Sequence, residues 1–221
     1  MIRRVLAPYL GGPYRAAKGA SETMLTTVLT QRARRQLRKF AAPYRLNVGC
    51  GKVHFDGWVN LDENTDLDTV DLVWDLRRGL PVEDQSCELI YCEHLLEHLT
   101  AEQGLRFLSE CRRALTADGV LRVAMPSLDF ILERAVSPDW RDQDWLKWSK
   151  FGNVKTRAEM INVAFRSWGH QYLYDREELH RRLGEAGFSR IVDCELGESS
   201  RPELRQRETR KDSFLICEAC R

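Results

Sequence analysis

The sequence predicts an α/β domain built on a seven-stranded sheet, and three observations support that prediction. A β-type run from Tyr44 to Val48 breaks at Gly49-x-Gly51. Further short apolar runs follow, several of them ending on an acid, with amphipathic helical segments among them. The chain of 221 residues, 43% hydrophobic and 30% charged, has the size and composition of one soluble globular domain.

The other predicted elements follow in order along the chain. The second to seventh strands are predicted at residues 58–62, 71–76, 87–94, 120–126, 188–196 and 213–219. A helix opens at Leu95, and an amphipathic helix spans Arg176 to Ala186, with Asp175 as its N-cap and Gly187 as its stop. The loop 197–211 between the last two strands is highly charged, and we expect it to be mobile.

Residues 1–43 are predicted to form a basic N-terminal arm and helix ahead of a main domain at 44–221. Residues 1–45 hold ten Lys or Arg residues against one acid, Glu22, whereas the rest of the chain holds 24 basic and 32 acidic residues. Ser21 is the predicted N-cap of the helix, which ends near Phe40. A solvated helix face is the plainer interpretation, and contact with an anionic lipid, nucleic acid or acidic partner is the alternative. An Arg-rich transit peptide is a third interpretation.

The stretch from Asp129 to His170 is longer than a crossover between strands requires. We expect an aromatic-rich lid insertion at about 129–170. Four of the six tryptophans lie in it, namely Trp140, Trp145, Trp148 and Trp168. These rings are interpreted either as part of the core or as a platform for a carbohydrate.

The break at Gly49-x-Gly51 predicts a nucleotide-like ligand at the end of the first strand. Glycines let the backbone approach a ligand closely, and an acid ending the next strand, Asp62, can accept hydrogen bonds from ribose hydroxyls. Only about 11 residues separate Gly51 from Asp62, where a full crossover helix needs roughly 20. The first helix is therefore short or replaced by a loop. A third glycine is absent near His54, which argues against a nicotinamide oxidoreductase.

These features together resemble the class I S-adenosylmethionine-dependent methyltransferases, in particular the type-11-like enzymes of bacterial polysaccharide and natural-product pathways. The resemblance implies a doubly wound, mostly parallel, Rossmann-like sheet with an antiparallel last strand, and S-adenosylmethionine as cofactor. It implies the cofactor-binding residues Asn47, Gly49, Cys50, Gly51, Leu61, Asp62, Asp75, Leu76, Tyr91, Cys92 and Glu93. Asn47 departs from the family pattern, because an acid is usual at that position.

His94 and His170 are the predicted catalytic residues. A hydroxyl acceptor must lose its proton during methyl transfer, and histidine suits a general base near neutral pH. Asp129 is the acidic alternative. The run from His94 to His98 also matches the His-x-x-Glu-His pattern of some zinc proteases, but that pattern needs a helix and a further ligand downstream. Glu97 and His98 are interpreted as fastening the helix start to the sheet, and no metal ligand is assigned.

The predicted function is O-methylation of a sugar or similar small polar acceptor. The alternative is a non-catalytic binding or scaffold protein with the same fold, for which Asn47 would be a sign of decay. We expect a small-molecule or saccharide acceptor as partner, not nucleic acid, and a cytoplasmic location. No apolar run approaches the ~20 residues of a membrane helix. Most of the seven cysteines lie in predicted strands or helices, which indicates reduced, buried thiols.

Overall fold

The computed structural model of the protein describes residues 26–221. The chain divides into two units, Met1–Lys39 and Phe40–Arg221. In the first unit a helix, α1, spans residues 26–37, and its Ala33 and Leu37 are buried. The predicted cap Ser21 and most of the basic arm lie outside the described residues. No helix in the described part of the chain is long and apolar enough to cross a membrane.

Seven strands within the second unit form one sheet. They are β1 (Tyr44–Val48), β2 (Val59–Asp62), β3 (Leu72–Val73), β4 (Cys87–Glu93), β5 (Leu115–Met125), β6 (Arg190–Asp193) and β7 (Leu215–Cys220). Their order across the sheet is β3-β2-β1-β4-β5-β7-β6. Strands β1 to β5 are mutually parallel, and β7 runs antiparallel to both β5 and β6. The predicted mostly parallel sheet with an antiparallel last strand is confirmed.

The parallel register brings the ends of three strands together. Val48 at the end of β1 pairs with Leu61 of β2 on one side and with Cys92 of β4 on the other. The chain order reverses between β1 and β4, which is the position where ligands bind in open α/β sheets.

Four further helices lie among the strands in the second unit. They are α2 (Ala101–Ala114), α3 (Leu128–Val136), α4 (Arg157–Arg166) and α5 (Arg176–Glu185). The predicted cap Asp175 accepts a hydrogen bond from the backbone N–H of Glu178. The helix expected from Leu95 begins later, because a short 3-10 turn, Leu96–His98, comes first and Thr100 then caps α2 with Gln103 in a capping box.

A loop replaces the first crossover helix, as the short spacing predicts. Residues 49–58 contain no helix, and Phe55 and Trp58 pack with Tyr91 against the sheet. Asn60 fixes this loop, since its Oδ1 accepts hydrogen bonds from the backbone N–H of Phe55 and from the side chain of Asn47. The apolar side chains thus cover the sheet face where a helix is missing.

The charged loop 197–211 is largely exposed, but a buried ion pair anchors it to the sheet. Arg122 of β5 is fully buried and donates hydrogen bonds to Glu208 at 2.6 Å and to Glu218 of β7 at 2.8 Å. Glu208 also accepts from the backbone N–H of Gly197, and Leu204 is buried against the sheet. Some charges of this loop are thus paired with buried partners, and the mobility of the loop stays a prediction.

Candidate active site

A cleft of about 390 Å³ lies at the ends of β1, β2 and β4. We call it the glycine-loop cleft. It is lined by Gly49, Asp62, Glu63, Trp74, Asp75, Leu76, Arg77, His94, Leu95, His98, Leu99, Gln103 and Gln171. Among the predicted cofactor-binding residues, Gly49, Asp62, Asp75 and Leu76 are therefore brought together in one cleft.

The loop after β1 approaches the opposite wall of this cleft closely. Gly49 has φ +69°, and a Cβ added to it would lie 2.9 Å from Leu95 Cδ1. Its backbone N–H and that of Cys50 both donate to the carbonyl oxygen of Leu61, at 2.8 and 3.0 Å. Leu61 is itself fully buried, so it contributes through its backbone. A glycine is required at Gly49 both by the positive φ and by the close approach.

Asp62 at the end of β2 holds the same loop from the other side. Its Oδ2 accepts a hydrogen bond from the N–H of Gly51 at 2.9 Å, and its Oδ1 accepts one from the N–H of Asn64 at 2.9 Å. Two carboxylate oxygens offer about four acceptor positions, so two remain for a ligand in the cleft.

The far end of the cleft follows β3. Although partial burial opposes its charged form, the hydrogen bonds from Arg77 hold the pKa of Asp75 below its usual value. Arg77 also pairs with Glu63 at 3.0 Å, and Leu76 lies between them on the cleft wall. Trp74 is nearly buried and donates from Nε1 to the carbonyl of Gly79 at 2.6 Å. This end combines an aromatic surface with a carboxylate that stays ionised.

Seven predicted cofactor-binding residues do not line the cleft, namely Asn47, Cys50, Gly51, Leu61, Tyr91, Cys92 and Glu93. Asn47 donates to the carbonyl of Val53 and to Asn60, so it orders the loop after β1. Tyr91 packs with Phe55, and Cys92 is fully buried in the core. Alternate residues of a strand point to opposite faces of the sheet, which is why a run read from sequence cannot place all its side chains in one cleft.

Glu93, another of these residues, contacts a different part of the chain. Its carboxylate accepts hydrogen bonds from the backbone N–H groups of Thr209 and Arg210, and from the hydroxyls of Thr209 and Ser213. It therefore anchors the segment before β7 to the end of β4.

A second cavity of about 330 Å³ adjoins the first, and we call it the aromatic pocket. It is lined by His94, His98, Pro126, Ser127, Phe130, Ile131, Gln143, Trp145, Trp148, Ala164, Trp168, His170, Arg210, Asp212 and Phe214. Three of the four tryptophans of the predicted lid thus face this pocket, whereas Trp140 is buried beside Met160. Trp140 is therefore part of the core, whereas the carbohydrate platform stays a prediction for Trp145, Trp148 and Trp168.

His94 lies between the two cavities and lines both. Its backbone has φ +49°, an uncommon conformation for a side-chain-bearing residue, at the end of β4. Its Nε2 is hydrogen-bonded to Ser213 Oγ at 3.2 Å. Burial, together with the nearby positive charge of Arg210, lowers the pKa of His94 to about 3. The ring is therefore neutral at physiological pH.

His170 is also on the wall of the aromatic pocket, where its Nδ1 is 2.8 Å from the carbonyl oxygen of Ala164. Partial burial lowers the pKa of its ring below the usual value. The acidic alternative Asp129 is not on the wall of either cavity, because its carboxylate accepts a hydrogen bond from the N–H of Arg176 at the start of α5. His94 and His170 remain the predicted residues that face the aromatic pocket.

Known proteins are similar to this chain in sequence and in fold. Residues 62–123 match the family model described as a methyltransferase domain. A solved S-adenosylmethionine-dependent methyltransferase from Archaeoglobus fulgidus has a TM-score of 0.52 and 15% identity, over 89% of this chain and 94% of that one. One from Mesorhizobium loti has a TM-score of 0.50 and 15% identity, over 82% and 92%. No curated protein sequence matches the chain.

The chain has the fold of S-adenosylmethionine-dependent methyltransferases, and part of it matches a methyltransferase domain. The family-model match covers the segment from the end of β2 to β5, which includes the glycine-loop cleft's Asp62 and the shared His94. The predicted fold is thereby confirmed, and the match supports the predicted family and cofactor.

The residues of the glycine-loop cleft fit S-adenosylmethionine. Gly49 lines the cleft and lies so close to the side chain of Leu95 that any Cβ would clash with it, so the glycine keeps the loop against the cleft wall. Asp62 retains acceptor positions suited to a pair of hydroxyls, and Asp75 is an ionised acceptor beside Trp74 and Leu76.

Several residues of this methyltransferase's site are missed by sequence reasoning. Trp74, Leu95 and Gln103 line the glycine-loop cleft, and Arg210 and Asp212 line the aromatic pocket. Trp74 immediately precedes the predicted Asp75 at a strand end, which is a usable signal. No signal in the sequence indicates that Arg210 and Asp212 reach His94, because Glu93 brings them there from 117 residues away.

Proposed function

We propose that this methyltransferase transfers a methyl group to a hydroxyl oxygen of a saccharide or similar small polyhydroxylated acceptor. The observation that supports this most strongly is the junction of two cavities at His94. One cavity carries glycine backbone and acids, and the other carries tryptophan faces with Asp212 and Arg210 among them. Aromatic faces suit the apolar faces of a sugar ring, whereas a carboxylate and a guanidinium suit its hydroxyls.

The proposed roles of individual residues follow from their positions. Asp62 binds the ribose hydroxyls of the cofactor, the carboxylate of Asp75 and the side chain of Leu76 meet its adenine, and Gly49 leaves room for the chain between them. When bound, S-adenosylmethionine supplies an electrophilic methyl group. His94 orients the acceptor hydroxyl and accepts its proton, and His170 contacts the acceptor from the lid side. The seven free thiols favour the cytoplasm as the proposed location.

A methyl-transfer screen tests the proposal. Binding of S-adenosylmethionine is first measured as a shift in thermal unfolding. S-adenosylmethionine with a labelled methyl group is then incubated with a panel of mono- and oligosaccharides, and products are analysed for the methylated atom. We expect cofactor binding and a labelled O-methyl ether. Cofactor binding without transfer to any hydroxylated acceptor would favour the non-catalytic alternative, and transfer to nitrogen would correct the atom.

A further inference from the structure

Glu97 has a carboxylate that the proposed function does not use. The residue is 1% exposed, and neither of its carboxylate oxygens has a hydrogen-bond partner. The nearest basic nitrogen is His94 Nδ1, which lies 3.4 Å from Oε1 without forming a hydrogen bond. A buried carboxylate with no partner is costly, so its place in the fold calls for an explanation.

Two histidine rings face this carboxylate. One ligand atom from each of Glu97, His98 and His170 lies within 4.8 Å of the others. The rings of His98 and His170 have centroids 5.1 Å apart and an edge-to-face arrangement. Two imidazoles and a carboxylate around one point are the donor set of catalytic zinc sites that keep a further position open.

Backbone hydrogen bonds hold the two segments that carry these residues together. The carbonyl oxygen of Glu97 accepts from the N–H groups of Gln171 and Tyr172 at 2.8 and 3.2 Å. The side chain of Gln171 donates to the carbonyl of His98 at 2.9 Å. His170 therefore lies beside Glu97 and His98 because the main chain places it there.

One nitrogen of the His170 ring is engaged with the backbone. His170 Nδ1 is 2.8 Å from the carbonyl of Ala164, which leaves Nε2 as the nitrogen free to bind a cation. Metal-binding histidines usually donate their other N–H to such a carbonyl, which fixes the ring and its tautomer. Burial lowers the pKa of the His98 ring overall, although the backbone of Gly169 beside it raises that pKa.

We propose that Glu97, His98 and His170 bind one divalent cation, for which Zn²⁺ is the best match to the donors. The site contacts both cavities, since His98 lines both of them and His170 lines the aromatic pocket. A cation held there would lie beside the junction of the two cavities, where the proposed function has the acceptor and the cofactor meet.

The role of the cation rests on the proposed function. The acceptor hydroxyl oxygen would bind the cation, which makes that hydroxyl more acidic; its O–H bond breaks, its proton passes to His94, and the electron pair stays on the oxygen. That oxygen is then a stronger nucleophile for the methyl group. Glu97 thus acquires a partner, and two of the three residues of the His-x-x-Glu-His match, Glu97 and His98, bind the cation.

A second cluster of ligand-type residues among the described residues provides a control. One ligand atom from each of His180 in α5, Asp193 in β6 and Cys217 in β7 also lies within 4.8 Å of the others. Strands β7 and β6 are at the end of the sheet opposite to β3. These groups already bond one another, with His180 Nε2 and Cys217 Sγ at 2.8 and 3.1 Å from Asp193 Oδ1. Asp193→Asn removes this cluster and leaves Glu97 untouched.

The test is a titration of the full chain with Co²⁺ alone, as a coloured substitute for Zn²⁺, followed by displacement with Zn²⁺. We expect visible absorption that saturates at one ion per chain and disappears on adding Zn²⁺. It should be retained in Asp193→Asn and lost in both Glu97→Gln and His170→Asn. Glu97→Gln keeps the side-chain shape, and His170→Asn alters a half-buried loop residue, so at least one of them should fold. Thermal unfolding checks that the variants fold. Zn²⁺ should raise the Tm of the wild type but not that of Glu97→Gln or His170→Asn.

Two results would overturn the inference. One is the absence of any saturable band in the wild type, and the other is a band that survives Glu97→Gln and His170→Asn but is lost in Asp193→Asn. The proposed function is judged separately, by S-adenosylhomocysteine binding and by acceptor screening. A metal-binding protein without O-methyl transfer would refute the function and leave the cation site standing. Transfer at the wild-type rate by folded Glu97→Gln would overturn the role of the cation.

Discussion

The glycine-loop cleft and the aromatic pocket adjoin at His94 and His98, yet they are built in different ways. The cleft is made by strand ends and by backbone: Gly49, the carbonyl of Leu61 and the acid Asp62 follow directly from β1 and β2. The pocket is made by side chains from the lid and from the segment before β7, which meet only in the folded chain. The cleft therefore depends on local sequence, whereas the pocket, which we propose selects the acceptor, depends on long-range contacts.

Different interactions hold the two regions in place. The cleft residues are positioned by the register of a parallel sheet, in which Val48 pairs with both Leu61 and Cys92. The pocket depends on anchors such as Glu93, which holds Thr209, Arg210 and Ser213. Changes in one region should therefore affect one ligand and spare the other, except at the shared His94.

His94→Asn should have the largest effect, because His94 belongs to both cavities. Turnover should fall by about 10²–10⁴-fold through loss of the group that takes the proton, while S-adenosylhomocysteine binding persists. Asparagine tolerates positive φ, so the variant keeps the backbone at the end of β4. His180→Asn, on α5 and away from both cavities, is the matched control and should turn over normally. Single-turnover rates measure the effect, and near-normal turnover in His94→Asn would remove His94 from the chemistry.

Asp62→Asn should come next, and it should affect the cleft alone. Loss of the hydrogen bonds to a charged acceptor costs about 2–3 kcal/mol, so S-adenosylhomocysteine should bind on the order of 30–150-fold more weakly. Calorimetric titration measures this, with Asp66→Asn in the same loop region as the control. Because Asp62 also accepts from Gly51 and Asn64, a small loss of unfolding free energy accompanies the change. Unchanged affinity would place the ribose elsewhere.

Glu93→Gln should weaken the pocket without weakening the cleft. The amide keeps one acceptor oxygen but loses the charge, which should loosen the segment that carries Arg210 and Asp212 by about 1–2 kcal/mol. The KM for the acceptor should rise several-fold while the affinity for the cofactor stays the same. Glu88→Gln on the same strand, remote from both cavities, should change neither. A rise in cofactor Kd would instead support the sequence-based assignment of Glu93 to the cofactor.

Phe214→Ala should give the smallest effect, again confined to the pocket. The ring of Phe214 stacks on Phe130 with centroids 3.8 Å apart, at the pocket wall. An aromatic contact contributes about 0.5–1.5 kcal/mol, so acceptor affinity should fall up to about tenfold. Phe165→Ala, which removes another partly exposed phenylalanine outside both cavities, is the control. Equal effects of the two variants would mean that the pocket does not bind the acceptor.

The sequence predicts the fold and the cleft well because the relevant signals are short-range. A strand, a glycine break and an acid at the next strand end lie within about twenty residues, and the missing first helix follows from the same short spacing. The predicted strand that contains Tyr91 to Glu93 is confirmed as β4. Which of its side chains face the cleft depends on the face of the sheet to which each one points.

The sequence could not predict the long-range contacts. The contact of Glu93 with Thr209, the ion pair of Arg122 with Glu208 and the meeting of Glu97 with His170 each join segments far apart in the chain. Charge along the loop 197–211 indicates solvation unless the buried partner on β5 is known. The His-x-x-Glu-His match is a short-range signal for two members of the cluster, Glu97 and His98. The third member, His170, comes from the lid and has no such signal.

A crystal structure of the protein with S-adenosylhomocysteine tests the central claim most directly. We predict the ribose hydroxyls on the free acceptor positions of Asp62, the adenine beside Leu76 and Asp75, and the sulfur directed toward His94 and the opening of the aromatic pocket. The ligand bound anywhere other than the glycine-loop cleft, or with its sulfur directed away from His94, would contradict the account of two cavities that meet at one histidine.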